Sequence, residues 1–78
     1  MDVYVVESHE WSDAFTWGVY ADLESAKLAG AEAVSSPQRT TPIEWTQYGD
    51  DVWQSNWHSH GGEALIRRMT VQALDAVS

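Results

Sequence analysis

The sequence has no cysteine, only four basic residues and no long apolar run, and each absence excludes a class of protein. Without cysteine there are neither disulfides nor thiolate metal sites. No window approaches the roughly 20 apolar residues that a membrane helix requires. The N-terminal residues 1–4 lack the basic region of a secretory signal. These features predict a cytoplasmic protein that needs no cofactor.

The charge of the chain is strongly one-sided. Twelve acidic residues against four basic ones give 78 residues a net charge of −8. Such a surface repels phosphate backbones and anionic lipids, so direct binding to nucleic acid or to a membrane is disfavoured. The acidic residues do not form a block. They either keep a small domain soluble or face a basic patch on another macromolecule.

A chain of this length forms one domain, residues 1–78, and its first half predicts two strands and a helix. Val3–Val6 is a β-rich apolar run, and residues 15–20 alternate with the period of a second strand. Asp22 is a good N-cap for an alanine-rich helix over residues 23–34. A β-hairpin followed by a helix is therefore expected.

One face of the predicted helix carries mostly small side chains. They recur at helical spacing and are Leu23, Ala26, Gly30, Ala33 and Val34. Small residues let a helix approach a sheet whose own inward side chains are bulky, and the chain has five tryptophans. We expect the helix to pack across one sheet face, with Trp17 among the buried indoles.

The second half of the chain predicts a hairpin over residues 43–47 and 52–59, with its turn at residues 48–51. A loop with an odd number of residues brings the large apolar side chains of both strands to one face. These are Ile43, Trp45, Trp53 and Trp57. A two-residue loop at Gly49-Asp50 scatters the tryptophans over both faces, so we favour the odd loop.

Residues 63–74 fit two kinds of structure. Their side chains alternate as in a strand, whereas residues 63–69 also have the composition of a helix. The Thr70-Val71 pair favours the strand. The predicted fold class is therefore α+β: a curved antiparallel sheet of about five strands, in the order β-β-α-β-β-β, with one helix packed on one face.

Candidate sites for chemistry are weak. His58 and His60 project on the same side of a strand, where they would share a metal ion with His9 or Glu10. No third ligand stands at a recognisable spacing, so we predict no metal site. Two pairs of acidic residues, Glu7 with Glu10 and Asp50 with Asp51, are expected to be solvated rather than catalytic. No catalytic motif is present, and we predict that the protein is not an enzyme.

The aromatic residues give a stronger signal. Trp11 lies in a polar loop, where it either folds back over a sheet end or anchors an interface. Tyr4, Tyr20 and Tyr48 are expected on the sheet face opposite the helix, together with His58. With Trp11, these residues form the predicted surface for a protein partner. A homodimer interface on the same face is the alternative.

Two segments carry a resemblance to known sequences. Val3–Ser8 and Trp17–Ala26 resemble a group of short bacterial proteins, especially actinobacterial ones, and their phage relatives. The shared pattern is a strand, a loop, Gly-Val followed by an aromatic residue, and a capped helix. It covers about the first third of the chain. The resemblance implies a β-β-α start and a phage setting, and it brings no activity and no functional residues.

Three functions follow from these observations, in decreasing order of support. The first is a small acidic accessory protein that acts by binding another protein. The second is an acidic mimic of nucleic acid that occupies the site of a DNA- or RNA-binding protein. The third is a metal-dependent enzyme that uses His9, His58 and His60.

Overall fold

A computed structural model of the chain describes residues 1–71 and contains one antiparallel sheet with one helix across it. The elements are β1 (Asp2–Glu10), β2 (Asp13–Tyr20), α1 (Leu23–Ala33), β3 (Trp45–Tyr48), β4 (Val52–Ser55) and β5 (Glu63–Thr70). The strands lie side by side in the order β2-β1-β5-β4-β3, and α1 contacts β1, β2 and β5. The predicted α+β class and the order of elements are confirmed. Helix α1, the only one within residues 1–71, is not long and apolar enough to cross a membrane.

The start of α1 is fixed by Asp22, as predicted. Its carboxylate accepts hydrogen bonds from the backbone N–H of Ser25 at 2.8 Å and from the Ser25 hydroxyl at 3.0 Å. These two bonds, the backbone one first, hold the pKa of Asp22 below its ordinary value of 3.8. The ionised carboxylate therefore caps the helix, and Glu24 in the first turn adds a second negative charge near the positive end.

The small residues of α1 face the sheet and bring the two layers close together. Ala26, Gly30 and Val34 are buried, and Leu23 packs against the same core. A Cβ atom added at Gly30 would lie 2.8 Å from the Trp45 ring and 3.2 Å from the Ala64 Cβ. The predicted fit of small helix residues against indoles is therefore confirmed. The sheet side of the core is formed by Val6, Trp53, Ala64 and Ile66, with Tyr4, Tyr20 and Trp45 partly buried around it.

The β3–β4 hairpin has the odd loop that the sequence favours. Tyr48 pairs with Val52, which leaves residues 49–51 as the loop. Trp45 lies opposite Ser55, and Gln47 lies opposite Trp53, so both tryptophans face the helix. The strands are shorter than predicted, because β3 begins at Trp45 and β4 ends at Ser55.

Residues 63–70 form a strand, as favoured over a helix. β5 pairs with β1 along its whole length, with Ile66 opposite Val6, and with β4 at residues 65–67. This pairing places β5 in the middle of the sheet. The remainder of the predicted segment, residues 72–74, lies outside the described part of the chain.

A β-bulge in β2 overturns one prediction about sheet faces. Val6 pairs with Gly18, but the next residue of β1, Glu7, pairs with Thr16. The extra residue, Trp17, shifts the alternation of β2, so a simple period of two does not hold there. Tyr4 and Tyr20 lie opposite each other and pack against the core beside α1.

The expectation that Tyr4 and Tyr20 lie on the uncovered face, the sheet face opposite α1, is therefore wrong. Tyr4 has the same parity in β1 as buried Val6, and this parity decides which face it takes. Of the three tyrosines, Tyr48 is the one on the uncovered face. Its neighbour Gln47 pairs with Trp53, which faces the helix, and successive strand residues point to opposite faces. Tyr48 is also well exposed.

The fit between Gly30 and Trp45 yields a stability prediction. Gly30→Ala raises helix propensity, which alone would stabilise the protein by about 0.5–1 kcal/mol. Because the new methyl group meets the Trp45 ring, we expect a net destabilisation of about 1–3 kcal/mol in urea unfolding. Trp45→Phe in the same chain replaces the indole by a smaller ring and should recover part of the loss.

Leu28→Ala is the matched control, since Leu28 is 73% exposed on the same helix. Its free energy of unfolding should stay within about 0.5 kcal/mol of the wild type. A Gly30→Ala protein more stable than the wild type would show that α1 does not approach Trp45 closely.

Candidate functional site

Two exposed tryptophans meet at one end of the sheet. Trp11 lies in the turn between β1 and β2, and Trp57 lies in the connection between β4 and β5. Their ring centroids are 5.5 Å apart and their planes cross at 84°, an edge-to-face contact. Trp11 is 72% exposed and Trp57 is 44% exposed. We refer to these two residues as the tryptophan pair.

The position of Trp57 corrects the prediction that it belongs to the core. β4 ends at Ser55, so Trp57 stands beyond the last strand residue and no longer follows the alternation that buries Trp53. For Trp11 the sequence leaves two interpretations open: the side chain folds back over a sheet end, or it anchors an interface. The indole does lie at a sheet end, but most of its surface stays in contact with solvent.

The backbone at Trp11 has an unusual conformation. Its φ angle is 55°, in the left-handed region that bulky residues seldom adopt, and it is the only non-glycine residue of the described chain with a positive φ. Such a conformation costs of order 1–3 kcal/mol and persists only where the surroundings hold it. With this backbone conformation, the turn directs the Trp11 indole toward Trp57.

Arg39 braces the loop that carries Trp57. Its guanidinium donates to the Gly62 carbonyl at 3.1 Å, to the Asn56 carbonyl at 2.9 Å and to the Asn56 side-chain oxygen at 3.0 Å. Asn56 in turn donates to the Pro42 carbonyl at 2.9 Å. These bonds join the segment after α1 to the β4–β5 connection on both sides of Trp57. Arginine in a polar loop gives no sequence signal for this role.

Two glycines bring the same loop against its neighbours. Gly61 and Gly62 have φ angles of 108° and 74°, which favour glycine. A Cβ atom at Gly62 would lie 2.1 Å from the His9 carbonyl, and one at Gly61 would lie 2.2 Å from the Val34 carbonyl. The loop is thus seated against the end of β1 and the end of the helix, where it positions Trp57 beside Trp11.

The histidines do not converge on a common point. The His58 and His60 rings are 5.7 Å apart, and His58 Nδ1 accepts a hydrogen bond from the His60 backbone N–H at 2.9 Å. His9 contacts Glu7 at 3.1 Å instead. Among residues 1–71 no group of three or more His, Cys, Asp or Glu residues is placed to hold a metal ion.

Asp51, one of the two adjacent acidic residues in the β3–β4 loop, has a structural role. Asp51 Oδ1 accepts hydrogen bonds from Arg68 Nη2 at 2.7 Å and from Arg68 Nε at 3.0 Å. The Arg68 backbone N–H also donates to the Asp51 carbonyl, at 2.7 Å. The same carboxylate raises the pKa of Arg68. These bonds tie the hairpin turn to β5.

A groove runs along the outer strand β2, on the side of α1. Its volume is about 390 Å³, and its lining residues are Ser8, Glu10, Phe15, Thr16, Trp17 and Ala33. Trp17 Nε1 donates to the hydroxyl of buried Ser8 at 2.8 Å, and half of the Trp17 surface is exposed. The assignment of Trp17 to the core is therefore wrong, because β2 lies at the sheet edge and no further strand covers it.

The predicted partner-surface residues thus separate into three places. Trp11 and His58 lie at the sheet end that carries the tryptophan pair. Tyr48 borders the β3–β4 turn, at the opposite end of that hairpin from the β4–β5 connection. Tyr4 and Tyr20 are partly buried and pack against the core. The structure brings together Trp11 and Trp57, a pairing that the sequence analysis did not foresee.

The tryptophan pair has a spectroscopic signature that tests its geometry. Two indoles at this distance couple electronically, so the far-UV circular dichroism should contain an exciton couplet. Trp11→Phe and Trp57→Phe should each abolish it, whereas Trp17→Phe should leave it intact. Arg39→Lys loses the forked hydrogen bonds and should weaken the couplet. A couplet that survives both Trp11→Phe and Trp57→Phe would contradict the observed contact.

Comparison with known proteins gives no match: no protein-family model, no curated protein and no solved structure matches the chain. The resemblance of the N-terminal third to short actinobacterial and phage proteins therefore stays a prediction. Function has to be inferred from the tryptophan pair and the groove, since no relative supplies it.

Proposed function

We propose that this chain is a non-catalytic accessory module that binds another protein through the tryptophan pair. The observation that carries the proposal is the exposure of two indoles in edge-to-face contact, 5.5 Å apart. Tryptophan is enriched among the residues that dominate binding energy at protein interfaces. Two of them side by side offer a large apolar contact area with few rotatable bonds.

The support that holds the pair in place favours binding over accidental exposure. The chain accepts a strained backbone at Trp11, and three arginine hydrogen bonds and two positive-φ glycines hold the loop of Trp57. Burying a large apolar side chain contributes about 1.5–3 kcal/mol, and much of this is forgone while the indoles face solvent. A partner that covers both would recover that free energy without first ordering the two side chains.

The negative charge of the chain favours a partner with a basic surface. The chain has a net charge of −8, and Glu10 flanks Trp11 in sequence and is exposed. A partner with basic residues around an apolar pocket fits such a surface, with the apolar contact giving affinity and the charges raising the association rate. We further propose that the module acts in the cytoplasm of an actinobacterial or phage-infected host; this rests on the absence of cysteine and on the predicted resemblance.

The proposal is tested by capture from an actinobacterial lysate with immobilised wild-type chain and three variants. Trp11→Ala and Trp57→Ala remove one indole each, and Leu28→Ala is the control, because Leu28 is as exposed as Trp11 but lies on α1. A protein retained by the wild type and by Leu28→Ala, and lost from both tryptophan variants, is the expected partner. With that partner purified, each tryptophan variant should raise Kd by about thirtyfold, or 2 kcal/mol.

A salt titration of the same complex distinguishes our proposal from the competing one, an acidic mimic of nucleic acid. An interface built on indoles weakens little as salt rises, whereas an acidic mimic of nucleic acid weakens steeply. An affinity that falls steeply with salt and is unaffected by Trp11→Ala would contradict our proposal and support the nucleic-acid mimic. A purified complex that forms equally well with both tryptophan variants and is insensitive to salt would reject both.

A further inference from the structure

Strand β2 is an open edge of the sheet. It is the outermost strand in the order β2-β1-β5-β4-β3, and it spans eight residues, Asp13–Tyr20. An edge strand presents a row of backbone N–H and C=O groups that no neighbouring strand satisfies. β2 contains no proline and no lysine, and its one charged residue, Asp13, stands at its start. Of the usual devices that prevent strand addition, this edge has the β-bulge at Trp17 but neither proline nor lysine, and it is not short.

The other edge of the sheet differs in these respects. β3 has only four residues, and Pro42 lies in the segment before it. A short edge offers little length for pairing, which is one way in which proteins protect a sheet from unwanted partners. The contrast between the two edges indicates that β2 is left open while β3 is protected.

The side chains of β2 add a recognition element to the open backbone. Phe15 and Trp17 are half-exposed and line the groove of about 390 Å³ described above. The β-bulge at Trp17 breaks the alternation of the strand and redirects this side chain, a common use of bulges beside binding sites. Its indole is then fixed by the hydrogen bond to Ser8. The groove therefore has a rigid aromatic wall.

The groove also has an acidic wall. Glu10 lines it and is exposed, whereas the ion pairs of residues 1–71 are His9 with Glu7 and Arg68 with Asp51. Its carboxylate therefore remains available to a ligand. A cationic side chain between an indole face and a carboxylate gains both cation–π attraction and a charge-assisted hydrogen bond. Lysine and arginine side chains have this chemistry, and the negative charge of the whole chain attracts them.

We infer that β2 accepts an extended basic segment of a partner protein as a sixth, antiparallel strand, with a lysine or arginine side chain of that segment in the groove between Trp17 and Glu10. The backbone pairing supplies affinity, and the cationic side chain supplies specificity. This surface adjoins the tryptophan pair at Glu10 but contains neither Trp11 nor Trp57, so the two proposals are tested by different variants.

The test uses the purified chain and a labelled, blocked peptide of sequence Thr-Val-Lys-Val-Thr-Val, with binding followed by fluorescence anisotropy. Two backbone-methylated versions have N-methyl groups on alternate residues, one along each edge of the extended peptide. One version should lose about tenfold in affinity because its pairing edge is blocked, and the other should bind as the parent does. The peptide with norleucine in place of lysine should bind about fivefold more weakly.

Variants of the protein test the groove directly. Glu10→Gln should weaken the lysine peptide about fivefold and leave the norleucine peptide unaffected. Glu24→Gln is the matched control, because it changes the net charge equally at the start of α1. Hydrogen exchange should show new protection of β2 amides when the peptide is bound.

Three results would overturn the inference. The first is absence of binding by the parent peptide. The second is equal affinity of the parent and both methylated peptides, or of the Glu10→Gln and Glu24→Gln proteins for the lysine peptide. The third is a chain that dimerises without peptide and loses peptide binding as it does so, since a second copy would then occupy the edge. None of these results bears on the lysate capture by the tryptophan pair.

Discussion

The close approach of helix α1 to the indole of Trp45 is the contact on which the rest of the structure depends. Gly30 leaves no room for a methyl group on this side, and Ala26 and Val34 extend the same flat face. Because the helix carries small side chains, the sheet must supply the volume of the core, and it does so with Trp45, Trp53 and Ile66. A core of this size holds few large residues, so the interior is filled by a small number of tight contacts.

This limited interior explains why the remaining tryptophans lie outside. Trp53 is only 6% exposed, but Trp11 and Trp57 lie at one end of the sheet and Trp17 lies on its edge strand, where much of each indole faces solvent. An exposed indole forgoes the free energy of burial, and three of them in so small a chain are costly. Their placement is ordered rather than accidental, because Arg39 braces the loop of Trp57, Trp11 packs against Trp57, and Trp17 is held by Ser8. Because the core is small, these indoles lie outside it and form the surfaces to which we assign binding.

The sequence predicts those features that depend on local signals. The cap at Asp22, the small helix face and the odd β3–β4 loop each follow from a few neighbouring residues, and all three are observed. The bulge at Trp17 leaves no such signal, because it arises from the pairing of β2 with β1. The end of β4 at Ser55 likewise has no local signal: the Ser55 hydroxyl accepts a hydrogen bond from Ala64 N–H, so a side chain ends the ladder. The adjacent glycines at 61 and 62 are the sequence feature that indicates a loop near Trp57.

The most direct measurement of the central contact is a nuclear Overhauser experiment between α1 and β3. The structure predicts a strong cross-peak between a Gly30 Hα proton and the Hη2 proton of the Trp45 indole, because a Cβ atom at Gly30 would lie 2.8 Å from that ring carbon. A Gly30 signal without any contact to Trp45, in a folded chain, would contradict the account.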